Sequence, residues 1–419
     1  MVFFESGERG AGFYLFFFLM TVWFLFFPLQ GVLYQVTIYA LPLLCLSMKK
    51  SRTAFKEILA SNRLFLVILL VPVSCSFLVY LFYGAGTESL GEQSETFVRY
   101  VWRVVMFSMV CASLVYALAI TRMQLARLIL GTTVLHCVWA LLASHEKIIR
   151  LFEQGRSFRL RGLLDSPNEF GLLMALGVVA SLSLFTQKRR IRECVPYAVM
   201  ALMCLLAVFL SQSRGAWLAL VVGSAIFAFT WHRQNLVVRR WQPVFALSLL
   251  LLSGVIIVQN DVLHRRLERF YLDPARLLIW KHFLAVWWEH FWLGVYSLKD
   301  FGVPRAAGGG LFKNPHSIFL DAAVRMGVPG ILSLLVFWGR CLSHFWSSRA
   351  RVLLLPVAMV IFAGGLFSWS LYAKTFAQSL YALLLIFFFS DRLACRPLPK
   401  RRRADSFAGQ TGRVGELGQ

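Results

Sequence analysis

Acidic residues are scarce in this chain: it has 20 Asp and Glu in 419 residues, and charged residues of both signs make up only 15%. Soluble domains carry about 25% charge, so a water-soluble multidomain enzyme and a charge-rich disordered chain are both excluded. Cysteine is sparse as well. The eight cysteines, Cys45, Cys75, Cys111, Cys137, Cys194, Cys204, Cys341 and Cys395, lie in or beside apolar runs and form no Cys-x-x-Cys pair. This argues against a disulfide framework and against a zinc site. His-Glu-x-x-His is missing from the whole chain and Asp-x-Asp from the basic loops 144–169 and 259–326. No Mg²⁺, Zn²⁺ or other cofactor is therefore expected. The first apolar run, near 12–29, has no small-x-small cleavage site after it and leads directly into another run. It reads as a retained span rather than a cleaved signal.

What the chain has in abundance is apolar surface, with 58% hydrophobic residues and a mean hydropathy of +0.67. Twelve apolar segments stand out, near 12–29, 31–48, 64–83, 101–120, 124–143, 169–186, 195–210, 215–231, 243–258, 327–343, 352–369 and 373–390. Each approaches the roughly 20 residues that a transmembrane helix needs. The expected fold is an all-α polytopic membrane protein of about 12 transmembrane helices. Four regions follow: 1–258 with spans one to nine, a helical loop over 259–326, spans ten to twelve over 327–390, and a basic tail over 391–419.

The 43 Lys and Arg give a formal charge of +23. Most sit between apolar runs, so they report topology first, and nucleic acid is not implied. Alternating the spans collects Arg9, the group from Lys49 to Arg63, Arg122, Arg127, the group from Lys188 to Arg192 and the tail on one side. That side is read as cytoplasmic, with both termini on it. The basic tail would be an electrostatic anchor to the inner leaflet.

Two loops on the opposite side break the trend. The 144–169 loop carries Lys147, Arg150, Arg156, Arg159 and Arg161, and the 259–326 loop carries Arg265, Arg266, Arg269, Arg276 and others. Long loops cross the membrane whatever their charge, but the first is short. An outward-facing anionic ligand accounts for both loops, because Arg forks match phosphate oxygens bidentately. Anionic lipid headgroups are the rival explanation.

Local patterns sharpen this. Residues 262–272 read as an amphipathic helix with Arg265 and Arg269 one turn apart. Asp273-Pro274 reads as N-cap and first position of a second helix, placing Arg276 in a first turn that attracts anions. The set Trp280, Trp287, Trp288 and Trp292 is read as an interfacial aromatic belt. Asn314-Pro315 reads as another cap and helix start, directly before His316. A histidine there is opposed in protonation by the dipole and by neighbouring Arg, so its imidazole stays neutral and can accept a proton. The alternative is an interfacial polar residue. Residues 211–217, Ser-Gln-Ser-Arg-Gly-Ala-Trp, leave almost no loop between two runs and set Arg214 at a membrane boundary. Arg214 is either a snorkelling residue or part of an anion pocket with Ser211 and Ser213.

These residues resemble the O-antigen ligase and polymerase superfamily of bacterial membrane glycosyltransferases. His316-Ser317, nine residues, then Gly327-Val328-Pro329-Gly330 is similar to its H-[NSQ]-x9-G-x-x-G signature. Residues 211–217 resemble its S-x-S-R-G box, Arg276 to Trp280 its R-x-x-x-W stretch, and 163–171, with Asp165 and Asn168, its loop leading into a span. The first 140 residues match only as hydrophobic spans. The resemblance implies a GT-C-like architecture in the bacterial inner membrane, with the active site facing the periplasm. It also implies transfer of a glycan from undecaprenyl pyrophosphate to a hydroxyl of the lipid A core. Chain size favours the ligase over protein O-oligosaccharyltransferases, while the repeat-unit polymerase shares the layout.

The chemistry of such a transfer fits the parts available. His316 is the expected general base, and Arg161, Arg214, Arg265 and Arg276, then Arg159, Arg266 and Arg269, are expected to bind pyrophosphate. Asn168, Ser211, Ser213, Gly327 and Gly330 are supporting candidates. Transfer would be metal-independent and inverting. Rival classes are a transporter of an anionic lipid-linked glycan and a non-catalytic lipid-binding scaffold. Against the transporter, 1–210 and 211–419 show no convincing repeat.

Overall fold

A computed structural model describes residues 10–26, 32–83, 97–154, 158–164, 166–188, 190–234, 274–295, 297–298, 301, 303–304, 311–312, 314–368 and 375–394. The helices in chain order are α1 (Ala11–Phe26), α2 (Val32–Ser47), α3 (Lys49–Ser61), α4 (Arg63–Tyr83) and α5 (Phe97–Ala117). Next come α6 (Arg122–Ala143), α7 (His145–Gln154), α8 (Pro167–Thr186), α9 (Ile191–Leu210) and α10 (Arg214–Gln234). The last are α11 (Pro274–Glu289), α12 (Ile318–Ser347), α13 (Arg351–Ser368) and α14 (Thr375–Ala394).

Each expected apolar segment except the ninth corresponds to a helix; the segment near 243–258 and the expected 262–272 helix lie outside the described residues. Among the described residues, eight helices are long and apolar enough to cross a membrane, or nine if the bent pair α2–α3 is one span. The chain is a polytopic α-helical membrane protein. Of the other expected spans, the ninth lies outside the described residues, and three differ for physical reasons. α1 is a short apolar helix, as is the Arg351–Leu366 stretch of α13, and α2 turns by 103° into α3 at Met48. α3, which the apolar pattern passes over, is amphipathic: it buries Ser51, Ala54 and Ile58 and exposes Lys49, Lys50, Arg52 and Lys56. α7 is a second such helix, within the short basic loop, and seats Leu151 against the bundle.

Two helices form the centre. In α8 and α14, 89% and 94% of the apolar window is buried, so neither has a lipid-facing side. A helix apolar all round needs protein on every side. α8 is enclosed by α6, α9, α10 and α13; α14 packs on α5 and also touches α3, α12 and α13.

The 259–326 region has a small core of its own, in which Ile279, Phe283 and Val286 of α11 meet Leu298, Val303 and Val324. The all-α expectation needs one correction here. Val303–Pro304 (β1) and Leu311–Phe312 (β2) pair antiparallel, with Val303 opposite Phe312. A two-residue ladder is too short to leave an alternating pattern in the sequence.

α12 is broken at Gly327, whose φ of 61° and ψ of −153° are not helical. The chain just after α11 fills the break. Val295 N–H donates to Val324 O at 2.8 Å, and Val328 N–H donates to Phe291 O at 3.0 Å. Gly294 (φ 68°) and Gly327 sit backbone against backbone. A Cβ at Gly294 would lie 2.5 Å from Met326 N, and one at Gly327 2.6 Å from Phe291 O. Gly294→Ala combines positive-φ strain with overlap against rigid main chain, and we expect it to cost at least about 2 kcal/mol. Gly339→Ala on the same helix meets nothing within 4 Å and should be neutral or stabilising by up to about 1 kcal/mol. Thermal unfolding of the two variants in detergent checks the pair; an equal effect from both would remove the lock.

Candidate functional site

One half of the site forms where α8 starts and α9 turns into α10. Ser166 caps α8, its hydroxyl accepting from Asn168 N–H at 3.2 Å, and Pro167 takes the first helical position. Arg159 then bridges two elements. Its Nε donates to Ser211 O at 3.2 Å and one terminal nitrogen donates to Asn168 Oδ1 at 2.8 Å. Leu160 N–H adds a bond to Leu210 O at 2.9 Å. The turn itself is tight. Gln212 has φ of 49°, and the Ser213 hydroxyl accepts from Ala216 N–H at 3.3 Å to start α10. Gly171 of α8 lies against this turn, where a Cβ would approach Ala216 Cβ to 2.9 Å.

Ser211 and Ser213 are thus buried and committed to building the turn. Arg214 is the first residue of α10 and is half-buried. Arg161 is exposed, on a turn made by Gly162 at φ 59°. Asp165 lies outside the described residues.

The other half is built on α11 and the entry to α12. Pro274 begins α11, as its sequence implies, and half-buried Arg276 falls in the first turn. One turn later the Trp280 indole donates to Pro315 O at 3.0 Å. This corrects the expected helix start at Asn314-Pro315. α12 starts at Ile318 with Ser317 as N-cap residue, because His316 adopts φ of 51° and no helix passes through that conformation. Asp321 N–H closes the first turn on Ser317 O at 2.8 Å. His316 is therefore half-buried just outside the helix, ahead of its N-terminus.

Beside it, α11 and α12 enclose a cavity of about 290 Å³ with mainly apolar walls from Trp280, Leu284, Trp287, Leu320 and Ile331, reaching Ser317. The expected tryptophan belt accordingly divides. Trp280 and Trp287 line this cavity, while Trp288 and Trp292 are 73% and 72% exposed.

The halves meet through α13. Leu172 of α8 packs on Gly364, and Ile318 of α12 packs on the adjacent Gly365. Phe319 stacks edge-on against Phe362 at 5.7 Å. The turn bearing Arg214 and the loop bearing His316 therefore occupy the same end of the bundle. Arg265, Arg266 and Arg269 lie outside the described residues.

One buried ion pair escaped the sequence reading. Asp321, fully buried, accepts from Arg325 Nε at 2.9 Å, and Arg325 is only 7% exposed. The Arg325 carbonyl also receives the Ser76 hydroxyl from α4. The available signal was an Asp and an Arg four residues apart inside an apolar helix. Glu169, buried in the first turn of α8, was missed too; an acid there is favoured by the helix dipole. Among the described residues, no three His, Cys, Asp or Glu gather as metal ligands.

Residues 198–335 fit the family model described as O-antigen ligase, a stretch that includes the Arg214 turn, α11 and His316. No curated protein matches the chain.

Removing one member of a buried pair strands the other's charge, which costs about 3–5 kcal/mol. Asp321→Ala is accordingly expected to lower stability by that order, and Asp321→Leu with Arg325→Met to recover much of it. Thermal melts of the single and double variants decide; a double variant as unstable as the single would show the pair is not the unit.

Proposed function

We infer that this chain, a member of the O-antigen ligase and polymerase superfamily, is a ligase. It transfers a glycan from undecaprenyl pyrophosphate to a lipid A core hydroxyl at the periplasmic face of the inner membrane. The superfamily itself supports a lipid-linked glycan donor and a lipid acceptor in general terms. The observation that carries the finer reading is His316. It is held outside the helix by a left-handed backbone and by the bond from Trp280, a residue one turn along α11 from Arg276, to its neighbour Pro315, and the next residue, Ser317, borders an apolar cavity.

A pyrophosphate-linked sugar already has a good leaving group, so the enzyme must neutralise departing charge, position the acceptor and remove one proton. In our reading the acceptor oxygen attacks the anomeric carbon as His316 takes its proton. The bond from that carbon to the pyrophosphate oxygen breaks in the same step, and the undecaprenyl pyrophosphate leaves. One displacement inverts the configuration. Arg214 and Arg276, half-buried at the first turns of α10 and α11, stabilise the leaving charge; Arg161 and, by sequence, Arg265, Arg266 and Arg269 are the further candidates. Arg159 spends two donors on Ser211 and Asn168, which makes it a positioning residue for the turn that carries Arg214. The apolar cavity beside Ser317 suits the first isoprene units of the donor. The basic, acid-poor loops favour charge stabilisation by arginine over a metal ion.

The test is a reconstituted assay with purified protein, undecaprenyl-pyrophosphate glycan, lipid A core and EDTA. Glycan on the core is expected with wild type, and His316→Ala should lose about 10²–10⁴-fold in rate. Arg214→Lys keeps the charge but loses the fork, and should fall by roughly thirty- to a thousand-fold. Wild-type activity in His316→Ala would remove it as the base. Loss of activity in EDTA, restored by Mg²⁺, would overturn the metal-free mechanism. Elongated lipid-linked glycan with untouched core would make the protein a polymerase, and no covalent product would favour transport.

A further inference from the structure

At the end of the bundle opposite His316, a cavity of about 700 Å³ opens among α3, α5, α6, α13 and α14. Three cations reach it from three places: Lys50 in α3, Arg122 at the start of α6 and Arg349 between α12 and α13. None of its lining residues is acidic. Behind the wall, fully buried Asp391 pairs with Arg122, and its other carboxylate oxygen lies 2.8 Å from His344 Nε2. Asp391 thereby holds and offsets the Arg122 guanidinium, while Lys50 and Arg349 stay exposed, with Lys50 Nζ 5.6 Å from the Tyr116 ring centre.

Two further features suit an anion. The first turns of α6 and α13 both face the cavity, through Arg122 and Met123 and through Val352 and Leu353, so the positive ends of two helix dipoles converge there. Thr121 and Gln187 add uncharged polar groups. The volume is far more than a phosphate ion fills, and much of the wall is apolar, from Val115, Ile120 and Leu353. Its level is where the apolar helices end and charged residues begin.

We propose that this cavity binds the headgroup of an anionic phospholipid. The phosphodiester would sit among Lys50, Arg122 and Arg349, and the glycerol and upper acyl chains would lie along the apolar wall. Phosphate charge meets the exposed Lys50 and Arg349, the Asp391-held guanidinium of Arg122 and two helix N-termini, and the apolar wall distinguishes a lipid from a soluble anion. In sequence, Arg396 and the Lys400-to-Arg403 run follow closely on Ala394 at the cavity rim. They add cations that would attract anionic lipid to this end. The site is separate from the transfer chemistry and from the loops carrying it.

The experiment is native mass spectrometry of the full-length protein in detergent with phosphatidylglycerol, phosphatidylcholine or inorganic phosphate. Retention of phosphatidylglycerol over phosphatidylcholine is expected. Lys50→Ala with Arg349→Ala should weaken it by about thirty-fold, or roughly fivefold per cation near a membrane surface. Lys56→Ala with Arg340→Ala removes the same charge at the same end outside the cavity, and should retain the lipid. Lys50→Arg with Arg349→Lys should retain it as well, which separates lost charge from lost fold. Equal retention of the two lipids, equal loss in both Ala pairs, or full displacement by inorganic phosphate would each overturn the proposal.

Discussion

A helix inside a bilayer cannot break without its freed backbone groups finding other partners. α12 breaks at Gly327, and the rest of the candidate site depends on how that break is repaired. The chain leaving α11 supplies both the acceptor for Val328 N–H and the donor for Val324 O. Glycine on each side of the contact lets the two backbones touch. The repair fixes α11 to α12, and with α11 fixed the Trp280 indole reaches Pro315 and holds the turn that carries His316. A break that would be a weakness in an isolated helix becomes the joint positioning the 259–326 region on the bundle.

Scarcity of acid shapes both ends of the molecule. With 20 acidic residues against 43 Lys and Arg, most cations cannot be neutralised within the fold. The buried acids go where helices must be braced: Asp321 to Arg325 at one end, Asp391 to Arg122 and His344 at the other. Burying a charge is tolerable only with such a partner. Others, such as Arg161, Lys50 and Arg349, are exposed near the ends of the helices, and an excess of fixed positive charge draws anions whatever their chemistry. The ends differ in what surrounds the charge. One combines arginines with a positioned histidine, while the other combines cations with a larger, partly apolar cavity.

Much of this was legible in the sequence because it rests on rules the chain cannot evade. Among the described residues the apolar runs of span length are helices, and Pro274 opens α11. The tight Ser-Gln-Ser-Arg turn followed from the missing loop between two runs. What was not legible depends on neighbours distant in sequence. Nothing local to Asn314-Pro315 says that Trp280 will claim the Pro315 carbonyl, so the helix was expected three residues too early. α3 and α7 lack the long apolar run that marks a span, since each buries only one face. Asp321 and Arg325 look like two stray charges until both are seen to be buried.

The arginines show why residue type alone does not assign a role. Arg159 and Arg214 lie on either side of one turn, and composition treats them alike. Arg159 reaches across it with two separate nitrogens, binding a main-chain carbonyl of one element and a side-chain carboxamide of another. Only a planar fork with several donors can do this, and a lysine ammonium on a flexible stem would hold one partner at the cost of the other. Arg214 begins the helix that this brace orients, with its N–H end facing the same side as its guanidinium charge can reach. Under the proposed function, the two arginines would serve one anion-binding turn through different properties of the same group, direction in Arg159 and charge in Arg214. Losing the brace would therefore be felt at Arg214 without any change in the charge present.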